Sequence, residues 1–390
     1  MAFGTTQAVG ANDDTPDGHE QLQPRRTRQR AVFDQLLGDI TSGRLRPGER
    51  LPSEAELSKR FSASRATVGR ALQDLKQRGL LHDMRGGGTT VNANLSRRIS
   101  LFTPFAQSVA GLGFMGANVY AHLGDLASHR GDHLSLQLIG RVDTDPLQQM
   151  LDAANRLIKS RVDGVFYYPV ELPADQAHYN QQVVETFVDA GIAVVLVDRD
   201  LVAYPDRSRF QLVKYDNFRG GFLITDHIIR QGRRRIGYVG IPTVSSAATD
   251  RMGGYIEAMR ANQLPIDPSL IRRAMLEELN DAFWRSLIQE MKVDAVVCNS
   301  DRYAANLGRY LVSIGQKVGK DVLIAGFGDQ PFAEMLATPL TTVRFPLTPF
   351  STVCYERLLW QMTNPSVPMP EQNIIDVEPV IRESTAPASG

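Results

Sequence analysis

The chain is 390 residues long, more than one hydrophobic core usually organises, so two or three domains are expected. Apolar residues at 43% and charged residues at 22% are those of an ordinary soluble globular protein, and no stretch reaches the ~18 uninterrupted apolar residues of a spanning helix. A formal net charge of zero argues against a nucleic-acid partner only until it is divided: residues 25–98 hold 16 Lys and Arg against 7 Asp and Glu, whereas residues 1–24 hold four acids and no base. A basic module therefore sits between an acidic tail and a mildly acidic remainder.

Residues 1–24, rich in Gly, Thr, Asp and Gln, are expected to be disordered. They lack the apolar centre of a signal peptide, and Cys298 and Cys354 suggest neither a disulfide framework nor a ligand cluster, so a reducing, cytoplasmic location is expected. Next comes PRRTRQR, whose Arg25, Arg26, Arg28 and Arg30 suit either a phosphate-touching arm or a solubilising flank. In AVFDQLLGDITSGRL, the positions of Val32, Phe33, Leu36, Leu37 and Ile40 make one helical face. After the turn RPGERLPS, Ser53 with Glu56 three residues on predicts a capping box opening the helix EAELSKRF. Ser64 caps a third helix that runs to about Arg78 and is closed by Gly79. Leu80 to Val91 reads as two short strands around RGGG, and Leu57, Phe61, Val68, Leu72 and Leu75 are spaced to make a small core.

That spacing carries a function. The N-terminal turn of the third helix places Ser64, Arg65 and Thr67 where a helix enters a DNA major groove. An arginine there can fork onto guanine or onto a phosphate, and a threonine offers a hydroxyl and a methyl. Lys59, Arg60 and Arg70 read as backbone-phosphate contacts, with Arg85 at the hairpin tip beside Gly86, Gly87 and Gly88. With Ser53 at the neighbouring helix start, the candidate DNA-binding set is Ser53, Lys59, Arg60, Ser64, Arg65, Thr67, Arg70, Arg85, Gly86 and Gly88.

The stretch PGERLPSEAELSKRFSASRATVGRALQDLKQRGLL…RGGGTTV resembles the winged-helix head of the GntR family of bacterial transcription factors. The resemblance puts Ser64, Arg65 and Thr67 on the family's DNA-contacting positions and Gly86 and Gly88 on its wing glycines. It also shows two departures: Gly69 and Gly87 stand where the family usually carries basic residues, and Arg70 and Arg85 lie one and two positions away from them.

Residues 92–98 read as a short linker after a winged helix-turn-helix domain at 25–91. From Ile99 the chain alternates strand and helix, through VDGVFYYPV, IAVVLVDRD, RRIGYVGIP, VDAVVCNS and DVLIAGFGD, to a closing helix in TPFSTVCYERLLWQMTN and edge strands in NIIDVEPVIRES. This predicts an α/β, doubly wound domain over 99–385 in two hinged lobes. Lobe 1 is expected at about 99–212 and 330–342, and lobe 2 at about 213–329 and 347–385.

Ligands of open α/β folds bind at the carboxyl ends of the strands. Polar residues there suit a polyol: Asp198 and Arg199, Arg251, Asn299 and Asp301, and Asp329, with aromatic rings such as Phe105, Phe114 or Tyr303 to cover an apolar ring face. Asp216 and Asn217, at a crossover, read as helix-capping residues. The pieces VVLVDRD, YDNFRGGFLITDHIIRQGRRRIGYVG, DRMGGYIEAM, DAVVCNSDRYAANLGRYLVSIG, VLIAGFGD and LTTVRFP are similar to the effector domain of the lactose and galactose repressor family, itself like periplasmic sugar-binding proteins. That likeness implies that Arg251 and the acid of the Asn299 and Asp301 pair hold sugar hydroxyls. Gly328 in GFGD stands where the family usually has an aspartate, and the loop TPFAQSVAGLGFM is apolar. A GntR-type head on such a body resembles the arabinose-repressor subgroup.

No HExxH, GxSxG or GxxxxGK[ST] occurs, so catalysis, a cofactor and a metal site are not expected. The expectation is a regulator, most simply a repressor of carbohydrate-utilisation genes, bound as a homodimer to an inverted repeat of operator DNA and released by a small sugar. The alternatives are a corepressing ligand, or a sugar-sensing module with no transcriptional role. Apolar helix faces near 110–125 and 220–230 are candidates for the dimer surface.

Overall fold

A computed structural model of the chain describes residues 25–41, 44–84, 87–92, 97–104, 113–139, 145–170, 172, 176, 178–202, 205–242, 245–364 and 371–386. It divides into two compact units, a head from residues up to 40 and 48–92, and a body mainly from residue 93 on.

In the head, α1 (Arg25–Thr41), α2 (Glu54–Arg60) and α3 (Arg65–Gln77) precede β1 (Leu81–Asp83) and β2 (Thr89–Val91). Val32, Phe33, Leu36 and Ile40 of α1 are buried, as are Leu57, Val68, Ala71, Leu72, Leu75, Leu80 and Val91. Phe61, expected in this core, is only half-buried, with the Arg60 guanidinium 5.2 Å from its ring centre. Both predicted caps form. Ser53 accepts from the Glu56 amide at 3.3 Å while Glu56 accepts from the Ser53 amide at 2.8 Å, and Ser64 accepts from the Thr67 amide at 3.2 Å. Each such cap contributes about 1 kcal/mol. β1 and β2 pair antiparallel with Leu81 opposite Val91, and residues 49–51 add a third extended segment, bonded from the Leu51 amide to the Thr89 carbonyl at 2.8 Å.

The described residues of the body hold two large sheets, each paired in parallel throughout, and a small antiparallel one. Lobe 1 is a six-stranded sheet made by β3 (Arg98–Pro104), β4 (His133–Ile139), β5 (Gly164–Tyr167), β6 (Ala193–Val197), β7 (Gln211–Tyr215) and, at its edge, β13 (Gln372–Ile375). Its helices are α4 (Gly113–Arg130), α5 (Pro146–Lys159), α6 (His178–Asp189) and α12 (Leu347–Thr363). Lobe 2 is a four-stranded sheet of β8 (Ile236–Gly240), β9 (Ile271–Arg273), β10 (Ala295–Cys298) and β11 (Leu323–Ala325). It carries α7 (Asn217–Arg230), α8 (Ser246–Ala261), the short α9 (Asp281–Arg285), α10 (Asp301–Ser313) and the short α11 (Phe332–Met335). β12 (Thr342–Arg344) and β14 (Glu378–Val380) pair antiparallel between the lobes.

Residues 378–385 lie with lobe 2 as expected, but two other late segments are placed the other way round from the expected lobe boundaries. Residues 330–342 belong to lobe 2, where Ala333 and Leu340 enter its core. The closing helix α12 and β13 belong to lobe 1: Phe350, Cys354, Tyr355 and Leu358 are buried with Phe166, Val195 and Val213, and Ile375 pairs with Tyr215. Alternating strand and helix reveals layers, but not which of two sheets a late strand joins. The linker expected through residue 98 ends sooner, since Arg98 already pairs with His133.

Two helices fix the geometry at the cleft. α7 and α8 cross with glycine on both sides. A Cβ on Gly221 would run into the Arg251 carbonyl, and one on Gly254 into the Phe218 carbonyl. This crossing buries Gly220, Ile224, Ile228 and Ile229 of the 220–230 face inside the chain, and Val119 and Leu123 of α4 are likewise in the core. Gly221→Ala is expected to lower stability by about 1–3 kcal/mol through overpacking against backbone. Gly308→Ala, where a Cβ meets nothing within 4 Å, is expected to be neutral or stabilising. Thermal melts of both variants check this, and equal midpoints would contradict it.

Candidate functional site

The head presents a cationic edge at the start of α3. Lys59, Arg65 and Arg70 are exposed and, among the described residues, in no ion pair. Ser64 and Thr67 share a hydrogen bond between their hydroxyls at 2.8 Å, which sets the first turn. Two of the predicted contacts are occupied inside the head: the Ser53 hydroxyl donates to Glu56 at 2.7 Å, and Arg60 donates to the buried Asp39 at 2.9 Å. The hydrogen bonds from Ser53 hold the Glu56 carboxyl below its ordinary range. Arg85 and Gly86 lie outside the described residues; Gly88 is exposed with φ at +109°, a conformation only glycine adopts freely. Arg50, which the sequence did not single out, donates to the Gly87 carbonyl at 3.0 Å and lies against Gly88, so it pins the hairpin tip.

The second site is the cleft at the carboxyl ends of both sheets. Arg251, on the second turn of α8, donates through Nε to Asn217 Oδ1 at 2.7 Å and through Nη1 to the Asn299 carbonyl at 2.8 Å. Its guanidinium lies 5.0 Å from the Phe327 ring centre and 5.4 Å from that of Phe345. Asn217 thus does more than cap, whereas Asp216 is the cap of α7, accepting from the Arg219 amide at 2.9 Å. On lobe 1, Asp198 sits in the left-handed region at φ +72° at the end of β6. Tyr168 donates to its carboxylate at 3.0 Å, and Arg199 donates to the same oxygen at 3.1 Å and to the Tyr168 hydroxyl at 3.1 Å. Lys214 and Asp250 pair across the lobes at 2.9 Å, and the Asp200 amide donates to the Ser246 hydroxyl at 2.9 Å.

Two buried polar atoms at this cleft have no hydrogen-bond partner: Asn299 Oδ1 and the Tyr215 hydroxyl. Tyr215 ends β7, stacked at 4.1 Å on Phe350, and burial pushes its phenol well up, with Asp198, Cys354 and Tyr168 adding to the shift. Leaving such an atom unsatisfied costs about 1–3 kcal/mol, which a bonded partner would recover.

Asp301 and Asp329 take other roles here than direct reach into the cleft. Asp301 is fully buried; Thr342 donates to its Oδ1 at 2.5 Å and the Gln330 amide to its Oδ2 at 2.8 Å. Asp329 is filled by Arg344 at 2.6 Å and Arg382 at 2.7 Å. Tyr303, suggested as a ring cover, is a core residue whose hydroxyl donates to the Ala274 carbonyl at 2.9 Å. Phe105 and the side chain of Phe114 lie outside the described residues. Tyr168, Tyr215, Phe327 and Phe345 escaped the sequence reading because aromatic residues at strand ends look like core, and Lys214 because its partner Asp250 lies 36 residues on.

Residues 28–91 match the bacterial regulatory proteins of the gntR family, and residues 225–385 match the periplasmic binding protein-like domain. The chain therefore joins a gntR-type helix-turn-helix head to a periplasmic-binding-protein-like α/β body. Among its relatives is an arabinose metabolism transcriptional repressor of Geobacillus stearothermophilus, 27% identical over 365 residues, which cover 90% of this chain and 95% of that protein. The transcriptional regulator GalR of Escherichia coli is 29% identical over 280 residues, covering 71% and 76%. Among solved structures, the transcriptional regulator CelR in complex with cellobiose superposes with a TM-score of 0.63 at 22% identity, covering 86% of this chain and all of that one. The lac repressor dimer bound to operator and an anti-inducer superposes at 0.61 with 19% identity, covering 74% and 94%. At these identities the structural likeness concerns the fold. No helix among the described residues is long and apolar enough to cross a membrane.

Burial raises the Asp301 carboxyl to about 6, against partial relief from Thr342 and the Gln330 amide. A carboxyl raised in the folded state favours folding while protonated, so its contribution is present at acid pH and is lost between about pH 4 and 6. The stability of wild type relative to Asp301→Asn is expected to fall by about 1–3 kcal/mol across that window, read by denaturant unfolding at each pH. A rise would contradict the buried placement.

Proposed function

We propose that this protein is a transcriptional repressor of carbohydrate-utilisation genes, acting in the cytoplasm as a homodimer on an inverted repeat and released by a small sugar. The observation that carries the reading is one chain with both a cationic helix-turn-helix edge and a two-lobed cleft holding unsatisfied buried polar atoms. Arg65 reads bases, with Ser64 and Thr67 setting the helix start and Lys59 and Arg70 on phosphates. Asp198, Arg199, Arg251 and Asn299 line the effector site, joined by Tyr168 and Tyr215. Asp301 acts beneath that surface, fixing the start of α10 to β12.

One head touches too few phosphates to hold an operator, whereas two on a two-fold axis read half-sites about one turn, roughly 34 Å, apart or a multiple of it. Sugar closes the cleft, the lobes shift, and the heads lose that spacing. A coupling of about 1–3 kcal/mol lowers DNA affinity about 5- to 150-fold. No feature of the cleft calls for an enzymatic reading.

Titrating operator DNA with and without sugar tests the sign of the switch: weaker binding is expected, and tighter binding would make the ligand a corepressor. Arg65→Ala should cost about 1–3 kcal/mol on operator and much less on random DNA, since a forked base contact is lost; equal losses on both would reassign Arg65 to phosphate. Arg251→Ala should abolish the sugar response in the same assay. An unchanged sugar affinity would remove Arg251 from the site.

A further inference from the structure

The charges at the cleft do not balance in the way a neutral sugar needs. Five carboxylates at that edge are spent on the protein itself. Asp198 holds Tyr168 and Arg199, Asp250 holds Lys214, and Asp301 holds Thr342 and the Gln330 amide. Asp200 accepts from the Leu201 amide at 2.7 Å and the Ser208 amide at 3.3 Å, and Asp329 holds two arginines. The arginines are not all matched in return. Among the described residues, Arg251 bonds only neutral oxygens and lies against two rings, and Arg273 bonds only the Met252 sulfur, at 3.4 Å.

Arg273 stands at the right place to matter. It is the last residue of β9, paired with Gly240 at the end of β8, so it lies on the carboxyl edge of the lobe 2 sheet. Its side chain reaches Met252, the neighbour of Arg251, and it is exposed. The buried Tyr238 hydroxyl of β8 donates to the Ala248 carbonyl of α8 at 3.4 Å. α8 and α10 also start at this edge, with their positive ends toward the cleft.

We propose that the effector is an anionic carbohydrate, a phosphorylated sugar or a sugar acid, whose charged group is taken by Arg273 while its hydroxyls meet Arg251, Asn299 Oδ1 and Tyr215. Two carboxylate-free guanidiniums on one wall fit phosphate or carboxylate oxygens as a forked donor set. The unpartnered Asn299 Oδ1 is an acceptor and calls for a hydroxyl, so the ligand carries both chemistries. This inference rests on the sugar-effector reading above and narrows it.

The test is isothermal titration of the full chain with matched probes: ribose against ribose 5-phosphate, glucose against glucose 6-phosphate and against gluconate, and inorganic phosphate alone. At least one charged probe is expected to bind about tenfold or more tighter than its neutral partner, with the advantage growing as salt is lowered. The phosphate and gluconate arms tell which anion is preferred. Arg273→Gln should reduce the charged-to-neutral ratio to about threefold or less, and Arg273→Lys should retain most of it. Melting midpoints identify a variant that has lost its fold, and the wild-type ratio stands by itself. A neutral sugar bound as tightly as its charged partner overturns the anionic assignment and leaves the sugar reading standing. No binding by any sugar of either kind overturns both.

Discussion

The guanidinium of Arg251 ties together the elements of lobe 2 that meet at the cleft. It joins the first residue of α7, just past the crossing from lobe 1, to the carbonyl that ends β10, and it lies against Phe327 and Phe345 where the chain crosses back. Its backbone is held by the glycine crossing of α7 and α8, which leaves no room for a side chain at Gly221. A residue placed by close-packed backbone has little freedom to drift. The apolar core runs through the same region: Tyr215, Phe327, Val343, Phe345 and Val377 join the buried clusters of the two lobes. Lys214 with Asp250, and Asp200 with Ser246, close the rim above it.

Beneath that surface a second layer holds the hinge. Asp301 fastens α10 to β12 through Thr342, and Asp329 fastens β12 and the last described segment through Arg344 and Arg382. That segment continues the tie, since the Ser384 hydroxyl donates to the Ile324 carbonyl at 2.7 Å and accepts from the Thr341 amide at 2.8 Å. Each lobe is firmly built, and the chain passes between them three times, after β7, after β12 and after β13.

What could be read from the residues alone follows the range of the interaction. The caps at Ser53, Ser64 and Asp216 were legible because each hydrogen bond closes within three residues. The head was legible for the same reason, its helix spacing, caps and basic charge all being local. The parallel body was legible from alternation, and Arg251 from its place at a helix start. The lobe of the late segments was not, because β13 pairs with a strand some 160 residues earlier and no local pattern encodes that. Asp329 looked open because its partners, Arg344 and Arg382, lie 15 and 53 residues away. Tyr215 and Tyr168 passed for core, since only the placement of their hydroxyls separates a site residue from a packed one.

The most direct measurement is the distance between the lobes. Spin labels on Gln182→Cys in lobe 1 and Gln289→Cys in lobe 2, both exposed positions, are accessible, whereas Cys298 and Cys354 are buried with thiols pushed up by burial. Operator DNA and an effective sugar are expected to move the inter-lobe distance distribution in opposite directions, as reciprocal linkage demands. A sugar that releases the DNA yet leaves that distribution unchanged would contradict the account.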